Sequence, residues 1–82
     1  MVLGDLTARQ SEVLDMIRWF SQQQPTIPPT LRELSEKLNL SSVGTTQAHI
    51  KELQAKGWVD WTPNKSRTLV ITPAAKEYFQ TR

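Results

Sequence analysis

The segment from residue 41 to residue 57 has the sequence SSVGTTQAHIKELQAKG, in which small polar residues precede a regular apolar pattern. The Gln47 amide can pair with the N6 and N7 edge of adenine, and Thr45 can donate or accept a hydrogen bond. Ala48 can contact the methyl group of thymine. These residue types are typical of a helix whose first turns lie in the major groove of DNA.

A helical wheel over residues 43–56 places Thr46, Ile50 and Leu53 on one face, which predicts that this face is buried. Small side chains near the start of the opposite face would let the backbone approach base edges, although Gly44 costs about 1 kcal/mol of helix stability relative to alanine. The alternative is a helix that simply begins in a loop of small residues. The predicted exposed face consists of Gly44, Ala48, Lys51 and Ala55, with Thr45 and Gln47 at its borders.

Length and composition restrict the class of protein. A chain of 82 residues is long enough for one small domain, so we expect residues 1–82 to form a single domain. The absence of cysteine excludes thiolate metal sites and disulfides, and the one histidine, His49, cannot form a metal centre alone. No stretch reaches the roughly 20 apolar residues of a membrane span, and the first residues lack the basic-then-apolar pattern of a signal peptide. We therefore expect a cytoplasmic protein without metal or cofactor.

The net charge of +2 is unevenly distributed. Residues 1–40 contain four basic and five acidic side chains, whereas residues 41–82 contain six and three. The second half of the chain is therefore the half expected to face a polyanion, although a solvated surface would explain the same difference.

Capping signals and apolar spacing predict the helices. Thr7 with Gln10 predicts a first helix over 8–23, and Thr30 with Glu33 opens a second helix of about two turns. The prolines of PTIPPT interrupt the chain between them, where Ile27 is expected to form a short extended strand. A tight turn then leads to a third helix over 43–56, which the Ser42 side chain can cap, and the two helices form a helix-turn-helix.

A change of period after Gly57 predicts a hairpin. β-Branched and aromatic residues flank the turn-rich TPNKS in residues 58–72, and Pro73 then starts a short last helix capped by Thr72. The fold class is mainly α with a small β hairpin, a winged helix-turn-helix with a three-helix core, a two-stranded wing and a short C-terminal helix. Its expected core contains Val13, Ile17, Leu34, Leu38, Ile50, Leu53, Val59, Leu69 and Ile71.

Three stretches, LTARQSEVLDMIR, PPTLRELSEKLNLSS and HIKELQAKGWV, resemble the DNA-binding domain of the LexA repressor family over roughly residues 6–71. The resemblance implies a transcriptional regulator, a repressor, that binds operator DNA as a dimer. It implies base contacts from Ser42, Gly44, Thr45, Gln47 and Ala48. Val43 stands where members of the family often have proline, and Gly44 where they often have a polar side chain.

Backbone contacts are expected from residues around this helix and at the hairpin tip, where Lys65 and Arg67 follow Asn64. The set is Arg32, Ser41, Lys51, Lys65 and Arg67. The self-cleaving peptidase domain of the family does not follow in this sequence. We expect either a short stand-alone regulator or a fragment, favour the former because of the closing helix, and expect no enzymatic activity from these residues. The expected partner is double-stranded DNA, with a possible homodimer on DNA.

The alternative function is a winged-helix protein-interaction module in a phage, plasmid or replication assembly. Its contact surface would be formed by Trp19, Tyr78 and Phe79. Trp19 lies on the otherwise polar side of the first helix, so we expect it either to pack on Tyr78 and Phe79 within the chain or to be exposed to a partner, and favour the former.

Overall fold

The structure is a computed structural model that describes residues 3–24, 26–65 and 67–80. Within these residues the chain forms four helices and one two-stranded antiparallel sheet. The helices are α1 (Ala8–Gln23), α2 (Leu31–Lys37), α3 (Val43–Ala55) and α4 (Pro73–Gln80), and the strands are β1 (Val59–Asp60) and β2 (Val70–Ile71). This architecture is the predicted winged helix-turn-helix.

Two reciprocal capping boxes begin the first two helices, as the sequence predicts. The Thr7 hydroxyl accepts from the Gln10 N–H at 3.1 Å while the Gln10 side chain accepts from the Thr7 N–H at 3.0 Å. Thr30 and Glu33 repeat this arrangement at 3.1 and 2.9 Å. Each box satisfies two amide groups that the helix itself leaves unpaired. None of the helices in the described residues has the length and apolar composition to cross a membrane.

The connection between α2 and α3 and the end of α3 rely on left-handed backbone. Asn39 has φ 57° in the connection, a conformation that asparagine tolerates better than most residues. α3 begins after Ser42, as predicted, and ends at Ala55, one residue before the predicted end. Gly57 follows with φ 87°, which turns the chain away from the helix axis toward the wing.

Among the described residues of the wing, two positions are paired, Val59 with Ile71 and Asp60 with Val70, so the strands are shorter than predicted. Beyond this ladder the Thr68 hydroxyl replaces backbone pairing. It accepts from the Thr62 N–H at 3.0 Å and lies 3.2 Å from the Thr62 carbonyl oxygen. A side chain therefore closes the base of the loop that carries Lys65.

The core forms between α1, α2, α3 and the inner face of the wing. Every predicted core residue is buried except Leu38, which is partly buried at the edge because α2 has ended before it. The core also includes Leu14, Phe20, Trp58, Trp61 and Ala75. Thr72 caps α4 as predicted: its hydroxyl accepts from the Ala75 N–H at 3.2 Å and donates to the Gly57 carbonyl at 2.7 Å.

The segment before α1 is fastened to the end of α3. The Gly4 N–H donates to the Lys56 carbonyl at 2.9 Å, and the Trp58 indole N–H donates to the Gly4 carbonyl at 2.8 Å. The Lys56 ammonium donates to the Gln10 side-chain carbonyl at 2.6 Å, and the Gln10 amide group donates to Glu52. The C-terminal end of α3 is thus hydrogen-bonded to α1 as well as packed against it.

Two expectations are wrong. Ile27 lies in a bend rather than in a strand, with its N–H bonded to the Gln24 carbonyl at 3.2 Å and its side chain 48% exposed. Trp19 does not pack on the last helix, and its side chain is 41% exposed, as in the other alternative. Its ring lies edge-on to Phe20 and below the Lys37 ammonium, whereas Tyr78 and Phe79 pack on Trp58. The rotation of α1 that buries Val13, Leu14 and Ile17 decides this placement.

Replacing Gly57 with alanine tests the left-handed end of α3. A Cβ at φ 87° is expected to lower the free energy of unfolding by about 1–2 kcal/mol, because the left-handed conformation places Cβ close to the following carbonyl oxygen. Urea unfolding followed by tryptophan fluorescence measures this change. An unchanged midpoint would contradict the assigned backbone conformation.

Candidate nucleic-acid interface

The N-terminal half of α3 lies at the surface on the side opposite the core. Thr46, Ile50 and Leu53 are fully buried, as the helical wheel predicts. On the other face, Gly44, Thr45, Ala48, Lys51 and Ala55 are all exposed, and Gln47 is half-buried at the border. The predicted base-reading positions are therefore presented together on one accessible stretch of helix.

Gly44 is not required by the fold. It lies within the first turn of α3, and its φ lies outside the left-handed region. A Cβ added there would meet only the Ser42 hydroxyl oxygen, at 3.3 Å, a tight contact that a shift of a few tenths of an ångström in the Ser42 side chain would relieve. Gly57, by contrast, is needed for its left-handed φ. The absence of a side chain at Gly44 leaves the helix backbone uncovered toward solvent.

Ser42 has a structural role in addition to its predicted contact with DNA. Its hydroxyl oxygen accepts from the Gly44 N–H at 3.1 Å and so caps α3. A hydroxyl that accepts one bond still carries a hydrogen that can be donated, so capping does not prevent a bond to a phosphate or a base. Ser41 is exposed immediately before it.

The predicted backbone contacts come from three parts of the fold. Lys51 extends the exposed face of α3 by one turn, and Arg32 is exposed in the first turn of α2. Lys65 is exposed at the tip of the wing. A cleft of about 220 Å³ separates the wing tip from the start of α2, and its lining includes Thr30, Lys65 and Arg67. Tertiary packing therefore brings the wing tip beside α2.

Arg67 differs from the other predicted contacts because its guanidinium has partners within the chain. It donates to the Pro28 carbonyl at 3.0 Å and to the Glu33 carboxylate at 3.3 Å. Such an ion pair between half-exposed groups contributes little to stability, but two bonds from one planar group fix an orientation. Arg67 thus attaches the wing to the start of α2.

The Glu33 carboxylate contacts two groups from different parts of the fold. It accepts the Thr30 N–H in the capping box and contacts Arg67 on the wing. The backbone hydrogen bond from Thr30, followed by the charge of Arg67, lowers the pKa of Glu33 below its ordinary value of 4.5. The same carboxylate therefore couples the first turn of α2 to the wing.

A buried polar contact between α2 and α3 was not anticipated. The hydroxyl oxygens of Ser35 and Thr46 are 2.6 Å apart, and the Ser35 hydroxyl also donates to the Leu31 carbonyl at 2.7 Å. The sequence placed Thr46 on the buried face but gave no indication of its partner. A threonine among the core positions of an amphipathic helix was the available signal, since a buried hydroxyl requires a partner.

His49 lies half-buried at the edge of the core. Its Nδ1 atom is buried and has no hydrogen-bond partner in the described part of the chain. In residues 3–24, 26–65 and 67–80, no group of three or more histidine, aspartate or glutamate side chains could hold a metal ion.

An exposed helix of small polar residues beside a basic wing agrees with one known family. A sequence model of the LexA DNA binding domain matches residues 3–68 of the chain. The chain belongs to the LexA DNA-binding domain family. The matched range covers α1, α2, α3 and β1, and ends in the loop of the wing.

Curated LexA repressors from several bacteria are similar to the chain over most of its length. The LexA repressor of Anaeromyxobacter dehalogenans strain 2CP-1 is 44% identical over 73 residues, which are 88% of this chain and 31% of that protein. The LexA repressor of Staphylococcus haemolyticus is 37% identical over 69 residues, which are 84% of this chain and 33% of that protein. The chain thus spans about a third of the length of the curated relatives it matches.

Replacing Glu33 with glutamine tests the coupling of the Glu33 charge to the first turn of α2 and to the wing. Glutamine keeps the capping bond but does not ionise. Because the folded-state pKa of Glu33 is lowered, its contribution to stability is present above pH 4.5 and is lost as the pH falls through the folded value. The difference in unfolding free energy between wild type and Glu33→Gln should shrink between neutral pH and about pH 3 in urea titrations. A difference independent of pH would contradict this coupling.

Proposed function

We propose that the chain is a sequence-specific double-stranded DNA-binding protein that represses transcription by occupying promoter DNA in the cytoplasm. Bases are read in the major groove by Ser42, Gly44, Thr45, Gln47 and Ala48. The DNA backbone is held by Arg32, Ser41, Lys51, Lys65 and Arg67. The activity is binding without catalysis, and residues 1–82 act as one winged helix-turn-helix domain.

The observation that carries this proposal is the exposure and the side-chain composition of the first turns of α3. They are exposed, their side chains are small and polar, and the fold does not explain the glycine at residue 44. A helix that must approach base edges closely explains it, because a side chain there would stand between the backbone and the DNA. Family membership and the similarity to LexA repressors support the same function.

Arg67 has a second role in this proposal. Its guanidinium bonds to Pro28 and Glu33 through Nη1, and this orients the wing. A guanidinium has further N–H donors on Nη2 and Nε, so a phosphate could bind Arg67 without replacing these bonds. We therefore assign Arg67 both the orientation of the wing and the predicted phosphate contact, beside Lys65 at the wing tip.

The protein-interaction alternative is not favoured. The surface it requires would combine Trp19 with Tyr78 and Phe79, but the last two pack on Trp58 and Trp19 lies against Phe20 and Lys37. Affinity for random duplex DNA at low salt distinguishes the two functions, since an interaction module need not retard DNA in a gel.

We further propose that two copies bind one operator. Selection of sites from random duplexes by the wild-type chain tests this point together with sequence specificity. A dimer on DNA predicts inverted half-sites separated by about one helical turn, or a multiple of it. Sedimentation of the free protein and of its complex gives the stoichiometry. Single, non-repeated sites bound by one chain would contradict the dimer but not the proposed function.

Replacing Gly44 with alanine tests close approach directly. The variant should fold with a free energy of unfolding within about 1 kcal/mol of wild type, because alanine favours the helix and the added Cβ meets only the Ser42 hydroxyl. Its affinity for a duplex selected by the wild-type chain should nevertheless fall about tenfold, the equivalent of one lost base contact. Urea unfolding and fluorescence anisotropy measure the two effects. Equal affinity of the two proteins would remove the main support for the groove-facing assignment.

A second prediction separates base reading from backbone binding. Gln47→Ala should reduce discrimination at one base pair by about 1–3 kcal/mol and leave the salt dependence unchanged. Lys65→Ala should weaken binding to all duplexes equally. It should also reduce the magnitude of the slope of log affinity against log salt concentration by about 1, from a wild-type slope of roughly −3 to −5 for three to five phosphates. Anisotropy titrations on the selected duplex and its single-base variants measure both. Identical behaviour of the two variants would contradict the division of roles.

A further inference from the structure

Two hydroxyl groups lie inside the protein where α2 crosses α3. Ser35 Oγ and Thr46 Oγ1 are 2.6 Å apart, Thr46 is fully buried and Ser35 is 4% exposed. In sequence, Thr46 stands between Thr45 and Gln47, two of the proposed base-reading residues. The pair thus lies directly behind the part of α3 that is proposed to contact DNA.

The direction of this hydrogen bond follows from the partners of Ser35. A serine hydroxyl has one hydrogen, and that of Ser35 is donated to the Leu31 carbonyl at 2.7 Å. Thr46 must therefore donate to Ser35 Oγ. The result is a chain of two bonds, from Thr46 through Ser35 to the backbone of α2, in which each hydroxyl hydrogen has an acceptor.

A bond of this kind constrains α3 more tightly than the apolar contacts around it. Burial of Leu34, Ile50 and Leu53 holds α3 on α2, but apolar contact has no preferred direction and tolerates small displacements. The two oxygens at 2.6 Å are closer than a methyl group can approach, since carbon atoms in contact are about 3.5–4.0 Å apart. Hydrogen bonds to base edges tolerate only about 2.7–3.2 Å, so a displacement of α3 near 1 Å would break them.

We infer that Ser35 and Thr46 are positioning residues: their hydrogen bond fixes the position of α3 relative to α2 and thereby the specificity of base reading. This inference depends on the proposed function. Neither residue is proposed to touch DNA. Phosphate contacts from long flexible side chains such as Lys51 and Lys65 can adapt to a shifted helix, whereas short side chains on α3 cannot. Loss of the bond should therefore reduce specific binding and spare binding to random DNA.

The test compares Thr46→Val, which has the shape of threonine without the donor, with Thr46→Ser, which keeps the donor but lacks the methyl group. Ser35→Ala removes the acceptor, and it tests the same hydrogen bond if the valine variant does not fold. Affinity is measured by anisotropy for a duplex selected by the wild-type chain and for a random duplex of equal length. All measurements are made below the melting transition of every variant, determined by circular dichroism.

The ratio of specific to random affinity should fall about tenfold in Thr46→Val and Ser35→Ala and stay within about threefold of wild type in Thr46→Ser. Affinity for random duplex should be unchanged in all three. The inference is overturned if the ratio follows the loss of thermal stability regardless of the hydroxyl, if specific and random affinities fall together, or if all variants bind like wild type. A wild-type chain that does not discriminate between the two duplexes would instead refute the proposed function, and with it this inference.

Discussion

Burial of one face of α3 is the constraint on which the other features of the structure depend. Thr46, Ile50 and Leu53 have no exposed surface, so the rotation of the helix about its axis is fixed. With a period of 3.6 residues, fixing these positions also fixes Gly44, Ala48 and Lys51 on the outside. The core therefore determines which side chains DNA could reach, although none of the core residues would touch it.

Polar contacts set the orientation within the volume that apolar packing defines. At its C-terminal end, α3 is bonded to the N-terminal part of the chain through Gln10 and Lys56, and near its N-terminal end it is bonded to α2 through Thr46 and Ser35. A core of this size could hold the helix at similar burial in slightly different positions, because apolar contacts are non-directional. Bonds at both ends select one of these positions.

The tip of the wing is held by a different type of interaction. The inner side chains of the wing pack in the core, but its ladder has two residue pairs among the described residues. Toward the tip, the Thr68 hydroxyl bonds within the hairpin and the Arg67 guanidinium bonds to Pro28 and Glu33. Because exposed contacts of this kind contribute little, the tip is held less firmly than α3. This difference suits an element that is proposed to contact the uniform DNA backbone while α3 reads the bases.

The sequence by itself determined the order and type of the elements, the limits of α1, the caps at Thr7, Thr30, Ser42 and Thr72, and the two faces of α3. These features depend on residues within one or two turns of each other, for which spacing and side-chain type are sufficient. Only the tertiary structure decided that Trp19 lies against Phe20 and Lys37, that Ile27 is not in a strand, and that Arg67 bonds to Glu33, 34 positions away in the sequence. It also decided that Ser35 is the partner of Thr46. Such contacts join side chains from different elements, and the packing angles and loop paths that bring them together are set by the whole core rather than by any local pattern.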